Sequence, residues 1–313
     1  MQGLTVSSSP HIKAPVTTQM IMGIVLISLL PSVVASGIIF GGRAVLVIAT
    51  SVVSCVLWEY LSRLVFRRSR TISDLSAVVT GVLLAMNLPV TIPLWMVIIG
   101  SFVAIVIVKQ LFGGLGQNFA NPAIVARIVL FVSFGAEMTR WVKPFYYNNG
   151  VDMVTSATPL VSGDASYISL FLGTTGGSLG ETCSLTLLIG GIILVVTRII
   201  TPTTPLAFIG TVAVMTWIFG GDPLYQVLSG GLLLGAIFMA TDYSTTPLTQ
   251  SGKLIFGIGC GLVTFAIRQW GGMPEGVSFS ILLMNIITPY IDMATKKKPV
   301  GAKKPERKVK EGI

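Results

Sequence analysis

Charge is what this chain has least of. Only 11% of its 313 residues are charged, where a soluble domain carries about 25%. Aspartate and glutamate together number 12, and histidine occurs once, at His11. Three cysteines, Cys55, Cys183 and Cys260, stand far apart with no C-x-x-C spacing. This scarcity argues against a zinc site or an iron–sulfur cluster held by this chain alone. A dinucleotide fingerprint is also missing. The glycines of Gly113-Gly-Leu-Gly116 follow an apolar run, not a strand of a βαβ unit. No cleavable signal peptide is expected, because Lys13 and His11 are the only candidate charges before Thr18 and the apolar run that follows is long enough to span.

What is abundant is apolar length. Hydrophobic residues make up 52%, and the mean hydropathy is +0.84. A chain this apolar belongs in a bilayer, where a helical span needs about 20 mostly apolar residues. The pattern predicts an all-α polytopic membrane protein of about ten helices, near 19–40, 43–65, 74–88, 92–111, 121–135, 183–200, 204–220, 224–240, 252–270 and 276–293. The expected organisation is a terminal segment 1–18, a first five-helix repeat 19–135, a loop 136–182, a second five-helix repeat 183–293 and a basic tail 294–313.

The net charge of +9 is concentrated in that tail, which runs from Lys296 to Lys310. It has no interleaved aromatics, so it reads as a solvated face and not a nucleic-acid interface. Lys13, Arg63, Arg67, Arg68, Arg70, Lys109, Arg198, Lys253 and the tail fall on one side of the alternating spans. Arg43, Arg140, Lys143 and Arg268 fall on the other. The positive-inside rule then places both termini in the cytoplasm and the 136–182 loop outside.

Two parts of the chain echo each other. Gly81-Val-Leu-Leu-Ala-Met-Asn87 matches Gly231-Leu-Leu-Leu-Gly-Ala-Ile, and Lys109-Gln-Leu-Phe-Gly-Gly114 matches Arg268-Gln-Trp-Gly-Gly272. A duplicated five-span unit must reverse its orientation, which predicts an inverted repeat. Polar, proline-bearing stretches interrupt it in pairs: Asn87–Pro93 with Thr241–Pro247, and Gly113–Pro122 with Gly271–Gly276. Irregular backbone at membrane depth is tolerated inside protein or beside water. These breaks therefore either satisfy packing or hold a ligand or an ion path.

Charges at membrane depth need a partner or a task. Glu59 is spaced for an i,i+4 pair with Arg63. Arg127 has three readings: it holds a cofactor oxygen or phosphate, it snorkels, or it pairs with a carboxylate. Asp242 and Glu275 sit in the breaks and are candidates for ion or cofactor contact. The outer loop contains a small hydroxyl-rich stretch, Asp152-Met-Val-Thr155-Ser156-Ala157-Thr158-Pro159.

That stretch, Phe238-Met-Ala-Thr-Asp-Tyr-Ser-Thr-Thr-Pro-Leu-Thr249 and Gly271–Asn285 together resemble the RnfD family, the D subunits of Rnf electron-transport complexes, over almost the whole chain. A more distant likeness is to the B subunit of the sodium-pumping NADH:quinone reductase (NqrB), which carries a longer N-terminal extension. The family's attachment pattern reads roughly Asp-x-x-Ser-Gly-Ala-Thr. Asp152, Ala157 and Thr158 match it, while Thr155 and Ser156 replace Ser and Gly. The resemblance implies FMN esterified through its phosphate to Thr158 by a flavin transferase. It also implies a second, non-covalent riboflavin near Asn118–Pro122 and Thr241–Pro247, with Asn118, Asn121, Arg127 and Asp242 as contacts. Asp242 and Glu275 would serve the ion path, and no residue is assigned a metal or a covalent catalytic role. The implied setting is the bacterial inner membrane, in contact with lipid and with the A, B, C, E and G subunits of Rnf. Ferredoxin and NAD would bind those partners, electron flow would be coupled to Na+ or H+, and the chain would act only in the complex. The alternatives are the quinone-reductase subunit or a flavin-free channel built on the same repeat.

Overall fold

The computed structural model describes residues 16–67, 72–148, 157–271 and 276–296. Asp152, Thr155, Ser156, Glu275 and the basic tail beyond Lys296 lie outside the described residues. The described residues form helices with no β-strand, as the pattern predicts. In the first half these are α1 (Thr18–Phe40), α2 (Gly42–Val65), α3 (Ser76–Met86), α4 (Leu94–Phe102) with a π-helical tail (Val103–Gln110), and α5 (Pro122–Ser133). The connecting loop holds α6 (Gly135–Met138), α7 (Pro159–Ser162) and α8 (Tyr167–Leu172). The second half has α9 (Ser184–Val196), α10 (Thr203–Ile218), α11 (Pro223–Leu228), α12 (Leu232–Leu234) with a π-helical tail (Gly235–Met239), α13 (Gln250–Trp270) and α14 (Val277–Thr295). Among the described residues four helices, α1, α2, α13 and α14, are long and apolar enough to cross a membrane.

Local signals set the helix starts. Thr17 caps α1 by accepting from the Met20 N–H (3.2 Å). Asn121 caps α5 through the Ala123 N–H (3.0 Å), with Pro122 pre-set for the first turn. Thr249 caps α13 through the Gly252 N–H (3.0 Å).

The two halves pack alike. In the first, α2 lies on α3 and α4, and α5 lies on α3 and the π tail of α4; in the second, α10 lies on α13, and α14 lies on α13 and the π tail of α12. Across the halves α1 packs on α9 and α5 on α14. Lipid is as apolar as leucine, so contact between spans relies on close packing and hydroxyl bonds. Ser54 to Ser101 (2.7 Å), Ser32 to Thr186 (3.2 Å) and Thr264 to Ser280 (2.7 Å) are such bonds.

Two elements differ from the sequence expectation. The span expected at 224–240 is interrupted at Ser229–Gly231, where Gly230 takes φ +67°. Arg268 makes the interruption tolerable by donating to the freed carbonyls of Gln226 (2.7 Å) and Ser229 (3.2 Å). The 136–182 loop, expected to stay outside the bundle, folds its end inward. Helix α3 spans only eleven residues, about 16 Å at 1.5 Å per residue, and its last carbonyls need donors. The Gly180 N–H supplies one to Met86 (2.8 Å) and the Leu179 N–H another to Leu88 (3.1 Å).

That approach requires glycine at 180, since a Cβ there would lie 2.7 Å from the Met86 Cβ. The Gly180→Ala variant is therefore expected to lose about 1–3 kcal/mol through overpacking. Thermal unfolding of the purified protein measures it, and an unchanged midpoint would refute the account.

Candidate functional site

The bundle has a proximal end, where α1 begins, and a distal end, where α1 finishes. Helix α9 runs antiparallel to α1: Ser32 meets Thr186 near the distal side, and Leu194 shares a cavity with Met22 and Val25 near the proximal side.

At the distal end Thr158 precedes α7 in extended backbone (φ −69°, ψ 153°). It is 5% exposed, and its Oγ1 is buried with no hydrogen-bond partner. It lines a cavity of about 10 Å³ together with Leu170, Gly177, Glu181, Ser229 and Gly230. The Ser229 hydroxyl, on the same cavity, is also buried and unpartnered. Nearby, the Tyr167 hydroxyl donates to the Asp222 carboxylate, strapping α8 to α11. That bond, with the backbone N–H groups at the start of α11, holds the Asp222 carboxyl below the usual carboxylate range.

Below this cavity lies a buried polar chain. Arg127 Nη2 pairs with Glu181 Oε1 at 3.2 Å, and its Nη1 donates to Asn87 Oδ1 (2.9 Å) and Ser278 Oγ (3.1 Å). Asn87 closes α3, and its Nδ2 also reaches Met239 Sδ at 3.6 Å. The Asn121 Nδ2 donates to the Met239 carbonyl at the end of the π tail (3.3 Å). Asn285, oriented with its nitrogen toward the Thr245 carbonyl (3.2 Å), accepts from the Asn121 N–H (3.1 Å). One side chain on α14 thus ties the break before α5 to the break before α13.

At the proximal end the two breaks face one cavity of about 90 Å³. Asn118, Asn121, Asp242, Ser76 and Lys109 line its polar side; Val79, Leu194 and Phe238 line its apolar side. The Asn118 Oδ1 is buried and has no donor. Asp242 accepts from Ser244 Oγ (2.9 Å) and Thr245 Oγ1 (3.3 Å). The cavity therefore offers one unanswered acceptor and one carboxylate beside an apolar wall, the make-up of a site for a planar polar ring or a cation.

The sequence pattern of the NQR2, RnfD, RnfE family matches residues 5–301. The chain belongs to this family. It is 46% identical to the D subunit of the Na(+)-translocating ferredoxin:NAD(+) oxidoreductase complex of Acetobacterium woodii, with 98% of each chain covered. It is 44% identical to the D subunit of the proton-translocating ferredoxin:NAD(+) oxidoreductase complex of Clostridium ljungdahlii, over 96% of this chain and 97% of that one. The D subunit of the ion-translocating oxidoreductase complex of Stutzerimonas stutzeri matches at 36%, over 92% and 96%.

Within this member of the family, Asn118, Asn121 and Asp242 come together in the proximal cavity as a set. Arg127 stands apart from that cavity and takes the carboxylate pairing that its position left open. Ala157 is exposed beside the buried Thr158. Sequence reasoning missed Glu181, which both lines the Thr158 cavity and holds Arg127. It also counted Lys109 among the charges of the cytoplasmic side and named no partner for it. Lys109 is instead 1% exposed, because the π-helical tail of α4 turns it inward onto Glu59. The available signal was a lone acid in each of two stretches: Glu59 in an apolar run, and Glu181 as the one acid between Asp164 and Asp222.

Proposed function

We propose that this chain is the D subunit of an Rnf-type ion-translocating ferredoxin:NAD oxidoreductase, carrying FMN esterified to Thr158. The observation that carries the reading is the Thr158 hydroxyl, buried without a partner at the distal end. An unanswered buried hydroxyl costs about 1–3 kcal/mol. No protein group competes for this oxygen, so esterification would break no native hydrogen bond, and the charged phosphodiester with its flavin would lie outside the closed pocket. The names of the relatives support the same assignment and favour it over the quinone-reductase subunit and over a flavin-free channel.

When bound, a flavin supplies one- and two-electron transfer, and the protein supplies position and electrostatics. We assign the second, non-covalent riboflavin to the proximal cavity, whose polar and apolar walls match such a ring and whose volume of about 90 Å³ must widen to admit it. Asn118 Oδ1 would accept from a ring N–H there, with Asn121 and Asp242 beside it. The Glu181–Arg127–Asn87 chain spans the interior between the two cavities and keeps both half-helix ends in register. Asp242, with two hydroxyl donors and a cavity face, is the carboxylate we assign to sodium or proton passage. Two relatives at 46% and 44% identity are named for different ions, so overall similarity does not choose between the two. Other Rnf subunits and a flavin transferase are the implied partners, in a bacterial inner membrane with both termini cytoplasmic.

Mass spectrometry of the Thr158-containing peptide from native membranes tests the assignment. The expected result is a flavin phosphate adduct, and a wholly unmodified peptide from an active complex would end it. For the topology, a reporter fused after Ile313 should read out as cytoplasmic. A periplasmic signal would move Thr158 to the cytoplasmic face.

A further inference from the structure

The loop that presents Thr158 also shuts it in. No part of Oγ1 is open to solvent, and the cavity beside it holds about 10 Å³, roughly the space of one water. A transferase must bring a phosphorus to this oxygen with the leaving group in line behind it, and that needs room the closed arrangement lacks. We infer that α7 is a latch: Thr158 becomes an acceptor only when the segment from Ala157 to Ser162 lifts away from α11. This inference rests on reading Thr158 as the attachment residue and adds how access to it is controlled.

Among the described residues, two contacts tie the latch to α11 and the break that follows it. The Tyr225 hydroxyl on α11 donates to the Pro159 carbonyl at 2.7 Å. Leu160 seats in a notch at Gly230, where a Cβ would fall 2.7 Å from Leu160 Cδ1. The helical turn closes on itself through the Ser162 N–H to the Thr158 carbonyl (3.0 Å) and the Gly163 N–H to the Pro159 carbonyl (2.9 Å), so it moves as a unit. Gly163, at φ +71°, ends it in a conformation suited to a hinge. A short segment with so few anchors belongs to the low-stability class that opens locally.

In the open position the transfer is a simple exchange. The Thr158 oxygen forms a bond to the riboflavin-bearing phosphorus of a flavin–adenine dinucleotide. The pyrophosphate P–O bond breaks, AMP leaves with the electron pair, and the hydroxyl proton passes to a base of the transferase. Nothing is oxidised or reduced.

Thiol labelling of the full-length chain, in membranes from cells without the transferase, tests the latch. Cys55, Cys183 and Cys260 are buried, so the unsubstituted chain sets a low background. Thr158→Cys should react with a polar maleimide at least about thirtyfold more slowly than Ala157→Cys, the factor expected from one hydrogen bond plus one seated leucine. Adding Tyr225→Phe to Thr158→Cys should speed labelling about fivefold, the worth of one ordinary hydrogen bond. Equal rates for Thr158→Cys and Ala157→Cys would overturn the shielding, and an unchanged rate with Tyr225→Phe would overturn the latch contact. The attachment reading fails separately: the chain with native Thr158, co-expressed with the transferase, would then show no fluorescent band on a denaturing gel, whatever the cysteine rates.

Discussion

Replacing Thr158 by alanine is expected to remove all covalently bound flavin from the protein while leaving its abundance in the membrane unchanged. Loss of the attachment oxygen explains the first effect. The second follows from the surroundings of that oxygen. Most buried hydroxyls leave a partner unsatisfied when deleted, but the Thr158 Oγ1 has none to lose. Its removal relieves a desolvation penalty of about 1–3 kcal/mol, which offsets the loss of one packed methyl, about 1 kcal/mol. Fluorescence of the denatured band and immunodetection of the same band separate the two effects. Thr158→Ser keeps a hydroxyl and is expected to retain part of the fluorescence. A full signal from Thr158→Ala would transfer the attachment to Thr155 or Ser156.

The helices were legible in the sequence because each long apolar run has one stable solution in lipid. Polar and glycine-rich stretches ended the runs where caps such as Asn121 and Thr249 begin the next helix. The set of Asn118, Asn121 and Asp242 was legible for a related reason: an inverted repeat sends one member of each pair of breaks to the same side, so Gly113–Pro122 and Thr241–Pro247 meet there. Three things were not legible. Gly230 reads as one more small residue in an apolar run, yet its positive φ and the Arg268 contacts divide the helix there. The inward course of Leu179 and Gly180 answers carbonyls exposed by the shortness of α3, a need visible only once that helix is seen to stop at Met86. The burial of Lys109 depends on a change from α- to π-helical turns after Phe102, and hydropathy carries no trace of it.

Glu59→Gln is expected to be the most damaging substitution away from the flavin sites. Glu59 is 0% exposed and accepts from Lys109 Nζ at 3.0 and 3.1 Å, from Gln110 Nε2 at 2.9 Å and from Arg63 Nη2 at 3.5 Å. Lys109 also donates to Ser76 Oγ (2.6 Å), which donates in turn to Asp74 Oδ1 (2.6 Å). The cluster therefore fixes α2, the π tail of α4 and the start of α3 to one another. Glutamine preserves shape and removes the charge, leaving the buried ammonium of Lys109 uncompensated. Breaking such a pair costs about 3–5 kcal/mol, enough to deplete a folded membrane protein severely. Removing both charges should cost less, because Lys109 is then no longer an ammonium left without its carboxylate. The double variant Glu59→Gln/Lys109→Met should thus recover a large part of the thermal stability and membrane level lost in Glu59→Gln alone. Arg63, buried in the last turn of α2 at 3.5 Å from Glu59, keeps its charge in both variants, so their comparison reads the Glu59–Lys109 pair alone. If the single and double variants unfold at the same temperature, charge pairing is not what the cluster contributes, and its role is reduced to packing.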